Sequence, residues 1–134
     1  MSRETHVDHT QTYRSVAVLL AAASTLTESP SLIDRMANAL NPEPAARAVY
    51  DALRIVESDQ KSNNPRIKNE KDERGRPYLS IGDKKIFGWI PTSETVRKFI
   101  ENVCTDVSIA RKIGTFASAL LVEAYISRQP AEGD

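Results

Sequence analysis

One stretch dictates where this chain must bury itself: Val16 to Ala23 is a run of eight consecutive apolar residues. A membrane-spanning helix needs roughly 20 such residues, so the run cannot cross a bilayer. It falls inside a predicted helix over about 12–27, whose apolar set adds Tyr13 and Leu26 and covers nearly the whole circumference. A helix without a polar face belongs at the centre of a domain or at a joint between two subunits. With 134 residues, 40% of them hydrophobic and 27% charged, the chain suits a single domain over 12–128 between flexible tails at 1–11 and 129–134. The single cysteine, Cys104, excludes an internal disulfide and suits a reducing, cytoplasmic setting without a membrane.

Further helices follow from caps and periodicity. Ser29-Pro30 starts one over about 30–40, with Leu32, Ile33, Met36, Ala37 and Leu40 at helical spacing. Asn41-Pro42-Glu43-Pro44 starts the next, over about 42–57. Its apolar face is Ala45, Val49, Ala52, Leu53 and Val56; Glu43, Arg47, Asp51, Arg54 and Glu57 form an ion-paired opposite face. Residues 58–76 lose the pattern, Ile67 being the one large aliphatic residue, and read as a long polar loop. Residues 77–90 read as a β-hairpin turning near Gly82-Asp83 or Asp83-Lys84, with Ile86 opposite Leu79 or Ile81. One hairpin face holds Leu79, Ile81, Ile86 and Ile90; the other holds Arg76, Tyr78, Ser80, Lys85, Phe87 and Trp89. Two C-terminal helices, about 93–104 and 106–128, take caps from Thr92 or Ser93 and from Thr105-Asp106. In the last one Ala110, Gly114 and Ser118 would let a neighbouring backbone approach closely. The fold class is therefore mainly α with one β-hairpin, α+β.

The chemistry available is narrow. No histidine occurs after His9, which removes His-based nucleophilic pairs and acid–base catalysis from the body of the protein. His6-Val7-Asp8-His9 is a weak metal-ligand set, and Cys104 sits on an apolar helical stripe as a structural thiol. No phosphate-binding glycine loop is present. The expectation is a protein that is not an enzyme, with no metal and no cofactor.

The formal net charge is zero, yet it is segregated. Residues 1–60 carry five basic and eight acidic groups, residues 61–90 eight and four, and residues 91–134 five and six. Cations interleaved with aromatic rings are what a nucleic-acid surface requires, the cations for phosphates and the rings for bases. The candidate binding set is Lys61, Arg66, Lys68, Lys71, Arg74, Arg76, Tyr78, Lys84, Lys85, Phe87 and Trp89. Arg74-Gly75-Arg76-Pro77 resembles the core of AT-hook segments, which implies extended arginines entering a narrow minor groove. The element order, three helices, a basic loop and hairpin, then C-terminal helices, resembles a winged-helix DNA-binding domain with a dimerisation extension. That resemblance implies a dimeric, non-enzymatic DNA-binding regulator with the hairpin as wing and the first and last helices as dimer contact. The alternative is a helical assembly subunit, a filament, capsid or adaptor component, self-associating through the last helix and the hairpin.

Overall fold

The computed structural model describes residues 10–103 and 106–127. In chain order the elements are α1 (Thr10–Thr27), α2 (Ser31–Ala37), α3 (Pro42–Gln60), β1 (Ile67–Lys71), β2 (Pro77–Ile81), β3 (Lys84–Phe87), α4 (Ser93–Val103) and α5 (Val107–Ser127). Helices dominate, beside one three-stranded antiparallel sheet of order β1-β2-β3. Within the terminal segments expected as tails, Thr10 and Gln11 already belong to α1. The His6–His9 set and Cys104 lie outside the described residues.

Helix α1 is the central element. Every residue from Ser15 to Thr25 is buried, and the helix packs against α2, α3, α4, α5, β2 and β3. Its apolar circumference is thus covered within one chain. The polar residues carried inside are served locally: Ser15 Oγ donates to the Thr12 carbonyl at 3.0 Å and Thr25 Oγ1 to the Ala21 carbonyl at 2.9 Å. Ser24 Oγ is buried with no hydrogen-bond partner.

Helix α5 lies along α1 and α2. The small residue at Gly114 serves that contact: an added Cβ would stand 2.5 Å from the backbone nitrogen of Ala37. The expected close backbone approach is therefore made inside the chain, by the end of α2. Just beyond it, Arg111 Nη1 donates to the Ala39 carbonyl at 2.8 Å and fixes the corner between α2 and α3.

Two helix starts differ from the sequence expectation: α2 runs Ser31–Ala37, with Pro30 and not Ser29 at its N-cap and Leu40 beyond its end. Asn41 stands at the N-cap of α3 in extended conformation but makes no side-chain cap bond. Pro42 and Pro44 supply no N–H in that first turn, which leaves the Asn41 side chain few donors to accept from. Thr92 does cap α4, accepting from the Thr95 amide at 3.1 Å, and Asp106 caps α5, accepting from the Ser108 amide at 3.1 Å and the Ser108 hydroxyl at 2.6 Å.

Two expectations about the middle of the chain are corrected. The long loop over 58–76 does not exist as such: α3 continues to Gln60 and residues 67–71 form β1, so the hairpin is part of a three-stranded sheet. β1 escaped notice because Ile67 is its one buried residue, so no apolar alternation marks it. The β2–β3 register has Leu79 opposite Ile86, closed by Gly82-Asp83 with Gly82 at φ 64. Ile67, Leu79, Ile81 and Ile86 are buried on the inner face. After β3 the chain turns at Gly88, φ 135, where a Cβ would meet Val18 Cγ2 at 2.5 Å.

Two alanine substitutions should move stability in opposite directions, read by urea or thermal unfolding. Gly114→Ala forces α5 away from α2 and should lower stability by about 1–3 kcal/mol. Ser24→Ala removes an unpaired buried hydroxyl and should raise it by up to about 1 kcal/mol.

Candidate functional site

The sheet sorts the candidate residues by strand register. Residues opposite each other in an antiparallel pair share a face. The pairs Lys68↔Ser80, Glu70↔Tyr78 and Tyr78↔Phe87, with Ser80↔Lys85, define the outer face. On it the rings of Tyr78 and Phe87 lie 5.5 Å apart between centroids. The Arg76 guanidinium stacks over Phe87 at 4.6 Å and the Lys85 ammonium over Tyr78 at 4.7 Å. The result is a row, Lys85, Tyr78, Phe87, Arg76, two rings flanked by two cations, in which each cation is held by a ring of this same chain, an interaction of about 0.5–1 kcal/mol at exposed sites. The aromatic residues are not core: Tyr78 and Phe87 are half-buried and Trp89, past the end of β3, is 40% exposed.

The remaining cations are dispersed. Lys71 pairs with Pro77 and Lys84 with Ile81, which places both on the face opposite the aromatic row. Lys84 reaches the Tyr125 ring at 4.9 Å. Arg66 donates from Nη1 to the Leu26 carbonyl at 3.2 Å, tying the root of β1 to the end of α1. Lys61 is the C-cap residue of α3. Arg74 is exposed in the β1–β2 turn. A basic stretch of sequence therefore does not become one basic surface.

The turn also corrects the AT-hook resemblance. Arg74-Gly75-Arg76-Pro77 is not extended but wrapped around Asp72, with Gly75 at φ 81. Asp72 Oδ1 accepts from the backbone amides of Arg74 and Arg76 at 2.9 and 2.8 Å, and Oδ2 accepts from Arg76 Nε at 2.8 Å. Asp59 plays the same part at the other end of β1, accepting from the amides of Arg66 at 2.9 Å and Ile67 at 3.1 Å. Two acidic residues that the sequence presents as loop polarity are thus the clamps of the edge strand. The available signal for Asp72 was an Asp three residues before the turn glycine Gly75, an arrangement suited to local side-chain–backbone bonding.

The end of α5 completes the surface. Val122 and Ile126 are 55% and 65% exposed. Lys85 and Phe87 of β3 with Leu120, Glu123 and Ile126 of α5 line an open hollow of about 370 Å³. Nothing in the sequence marks this end as exposed, because Val122 and Ile126 are as apolar as Leu120 and Ala124, which α5 buries. Among the described residues, no group of three or more His, Cys, Asp or Glu side chains comes together to hold a metal ion, and no helix is long and apolar enough to cross a membrane.

The family of CRISPR-associated protein (Cas_Csa5) matches residues 19–120, about three quarters of the chain. The chain belongs to that family. No curated protein and no solved structure matches it. Membership in a family of CRISPR-associated proteins overturns the expected winged-helix DNA-binding regulator. The geometry gives the physical reason. The helix that would read a major groove, α3, has its arginines engaged with carboxylates: Arg54 reaches Asp51 at 3.4 Å, where Arg35 of α2 also reaches it at 2.9 Å, and Arg47 reaches Glu43 at 3.5 Å. Reading helices carry free cations. The faces of α1 and α5 expected to join two subunits pack on each other within the chain. The finding supports the assembly-subunit alternative.

The clamps make the sheet acid-sensitive. Burial would raise the Asp59 carboxyl, but the Arg66 and Ile67 amides outweigh it and hold it below its ordinary value. The Arg76 amide, with the Arg76 side chain and the Arg74 amide, does the same for Asp72. The folded form therefore takes up these protons less readily than the unfolded chain, so their contribution is present above about pH 4 and is lost as pH falls through the lowered values. An Asp59→Asn, Asp72→Asn double variant should be less stable at pH 7 and show a shallower loss of stability between about pH 4 and pH 2.

Proposed function

We propose that this chain is a non-catalytic structural subunit of a multi-subunit CRISPR-associated complex of the Cascade type, acting in the cytoplasm. Its seat in that complex is the surface formed by the outer face of the sheet and the end of α5. The observation that carries the reading is the family match across residues 19–120. The exposed apolar side chain of Ile126 beside Phe87, with exposed Val122 one turn earlier on α5, supports the choice of surface. An apolar centre rimmed by Arg76 and Lys85, whose heads are held by stacking, has the anatomy of a protein contact: apolar anchors inside, oriented charge outside. The absence of histidine from the described residues and the engagement of the α3 arginines fit a part that holds others in place.

Co-expression with the other subunits of the complex, followed by size-exclusion chromatography, tests this. The wild-type chain should co-elute with the assembled complex. A Val122→Ser, Ile126→Ser double variant should drop out of it while keeping its helical circular dichroism, because both side chains are exposed in the isolated chain. A wild-type chain that elutes apart from the complex overturns the subunit reading, and a double variant that stays in the complex overturns the choice of surface.

A further inference from the structure

The sheet has two edges, and they differ. β3 runs beside α5, whereas four of the five residues of β1, Lys68 to Lys71, are exposed. Two side chains of α3 reveal which backbone groups β1 turns outward. Ile67 donates its amide to Asp59 Oδ2 at 3.1 Å, and its carbonyl accepts from Gln60 Nε2 at 3.4 Å. In an antiparallel strand the N–H and C=O of one residue point to the same side, and successive residues alternate. Ile67 therefore faces away from β2, and so do Asn69 and Lys71, while Lys68 and Glu70 face their partners Ser80 and Tyr78. Both ends of the ladder agree. The Asp72 amide donates to the Arg76 carbonyl at 3.0 Å, toward β2 like Lys68 and Glu70; the Gly88 amide donates to the Pro77 carbonyl at 3.0 Å, which sets the odd-numbered residues of β2 against β3. Among the described residues, nothing hydrogen-bonds the outward amides and carbonyls of Asn69 and Lys71.

An open edge invites another strand, and lysines beside it are the usual deterrent. Here they select as well as deter. Lys68 stands on the outer face, Lys71 on the inner face and Arg74 in the turn beyond, against Glu70 and Glu73, all of them exposed. A neutral or basic strand entering there meets uncompensated positive charge, and an acidic strand neutralises it. The edge is also held ready. Asp59 and Asp72 clamp β1 at its two ends, so little backbone ordering is left to oppose binding.

We propose that the free edge of β1 takes an extended, acidic segment of another protein subunit of the complex, added to the sheet as a fourth strand beside Asn69 and Lys71. Main-chain bonds to those two residues supply the attraction, and carboxylates of the segment lie against Lys68 on one face and Lys71 on the other. The contact is short, because Asp59 and Gln60 close the edge at Ile67 and the turn at Asp72 closes it beyond Lys71. This rests on the subunit reading and adds to it a second contact, across the sheet from the hollow beside α5.

Residue-resolved hydrogen exchange, comparing the isolated chain with the co-expressed complex, tests the edge. In the isolated chain the amides of Asn69 and Lys71 should exchange quickly and those of Lys68 and Glu70 slowly. In the complex Asn69 and Lys71 should slow by at least about tenfold. A Lys68→Glu, Lys71→Glu double variant should lose that protection and keep its circular dichroism, since both side chains are exposed. Asn69→Pro, which removes an outward N–H and no bond to β2, should abolish the protection at Lys71. Unchanged exchange at Asn69 and Lys71 in a complex that contains the chain overturns the edge contact and leaves the subunit reading standing. Protection that arises in the isolated chain, at high concentration or with a single-stranded oligonucleotide added, gives the edge to a second copy or to nucleic acid and overturns the proposal. Protection that survives the double charge reversal overturns the acidic character of the segment.

Discussion

Burial of α1 on every side is the constraint to which the other elements conform. A helix with eleven successive buried residues, Ser15 to Thr25, must be surrounded, and four helices and two strands surround it. Its four alanines, Ala17 and Ala21 to Ala23, keep it thin enough for neighbours to approach from all directions. The same demand explains why glycine stands where it does in two neighbours. Gly88 lets the chain leave β3 across Val18, and Gly114 lets α5 close on α2, which in turn packs on α1.

The helical frame was legible because each helix carries either full apolar coverage or a regular stripe, and because Thr92 and Asp106 announce their helices by side-chain chemistry that the structure uses. The β2–β3 hairpin was legible for the same reason, Leu79, Ile81 and Ile86 alternating with polar partners. β1 was not. With one buried residue it is held by backbone pairing and by the carboxylates of Asp59 and Asp72, and neither leaves a mark in hydrophobic periodicity. The extra turn of α3 through Ser58, Asp59 and Gln60 was hidden likewise, because polar residues end a stripe without ending a helix.

The candidate surface was half visible. Interleaving of Arg76, Tyr78, Lys85 and Phe87 on one strand face could be read by parity, and the structure stacks them into a row. The fate of the other cations could not, since it depends on distant partners: Arg66 finds a carbonyl forty residues away, and Lys84 finds a ring on α5. Charge segregated along a sequence is not charge segregated in space. Element order was equally ambiguous about function, because three helices before a hairpin describe many assemblies; the family match separates this one from a groove reader, and the engagement of Arg54 with Asp51 and of Arg47 with Glu43 agrees with it.

The sheet's inner row, Ile67, Leu79, Ile81 and Ile86, has a thermodynamic consequence. Three short strands are marginal in water without an apolar layer to rest on. Here that layer is supplied by α1 and the end of α5, and Arg66 fastens the first strand to the last turn of α1. Sheet and bundle therefore share one melting event, and no fragment of the chain that lacks the first helix can keep the aromatic row in place.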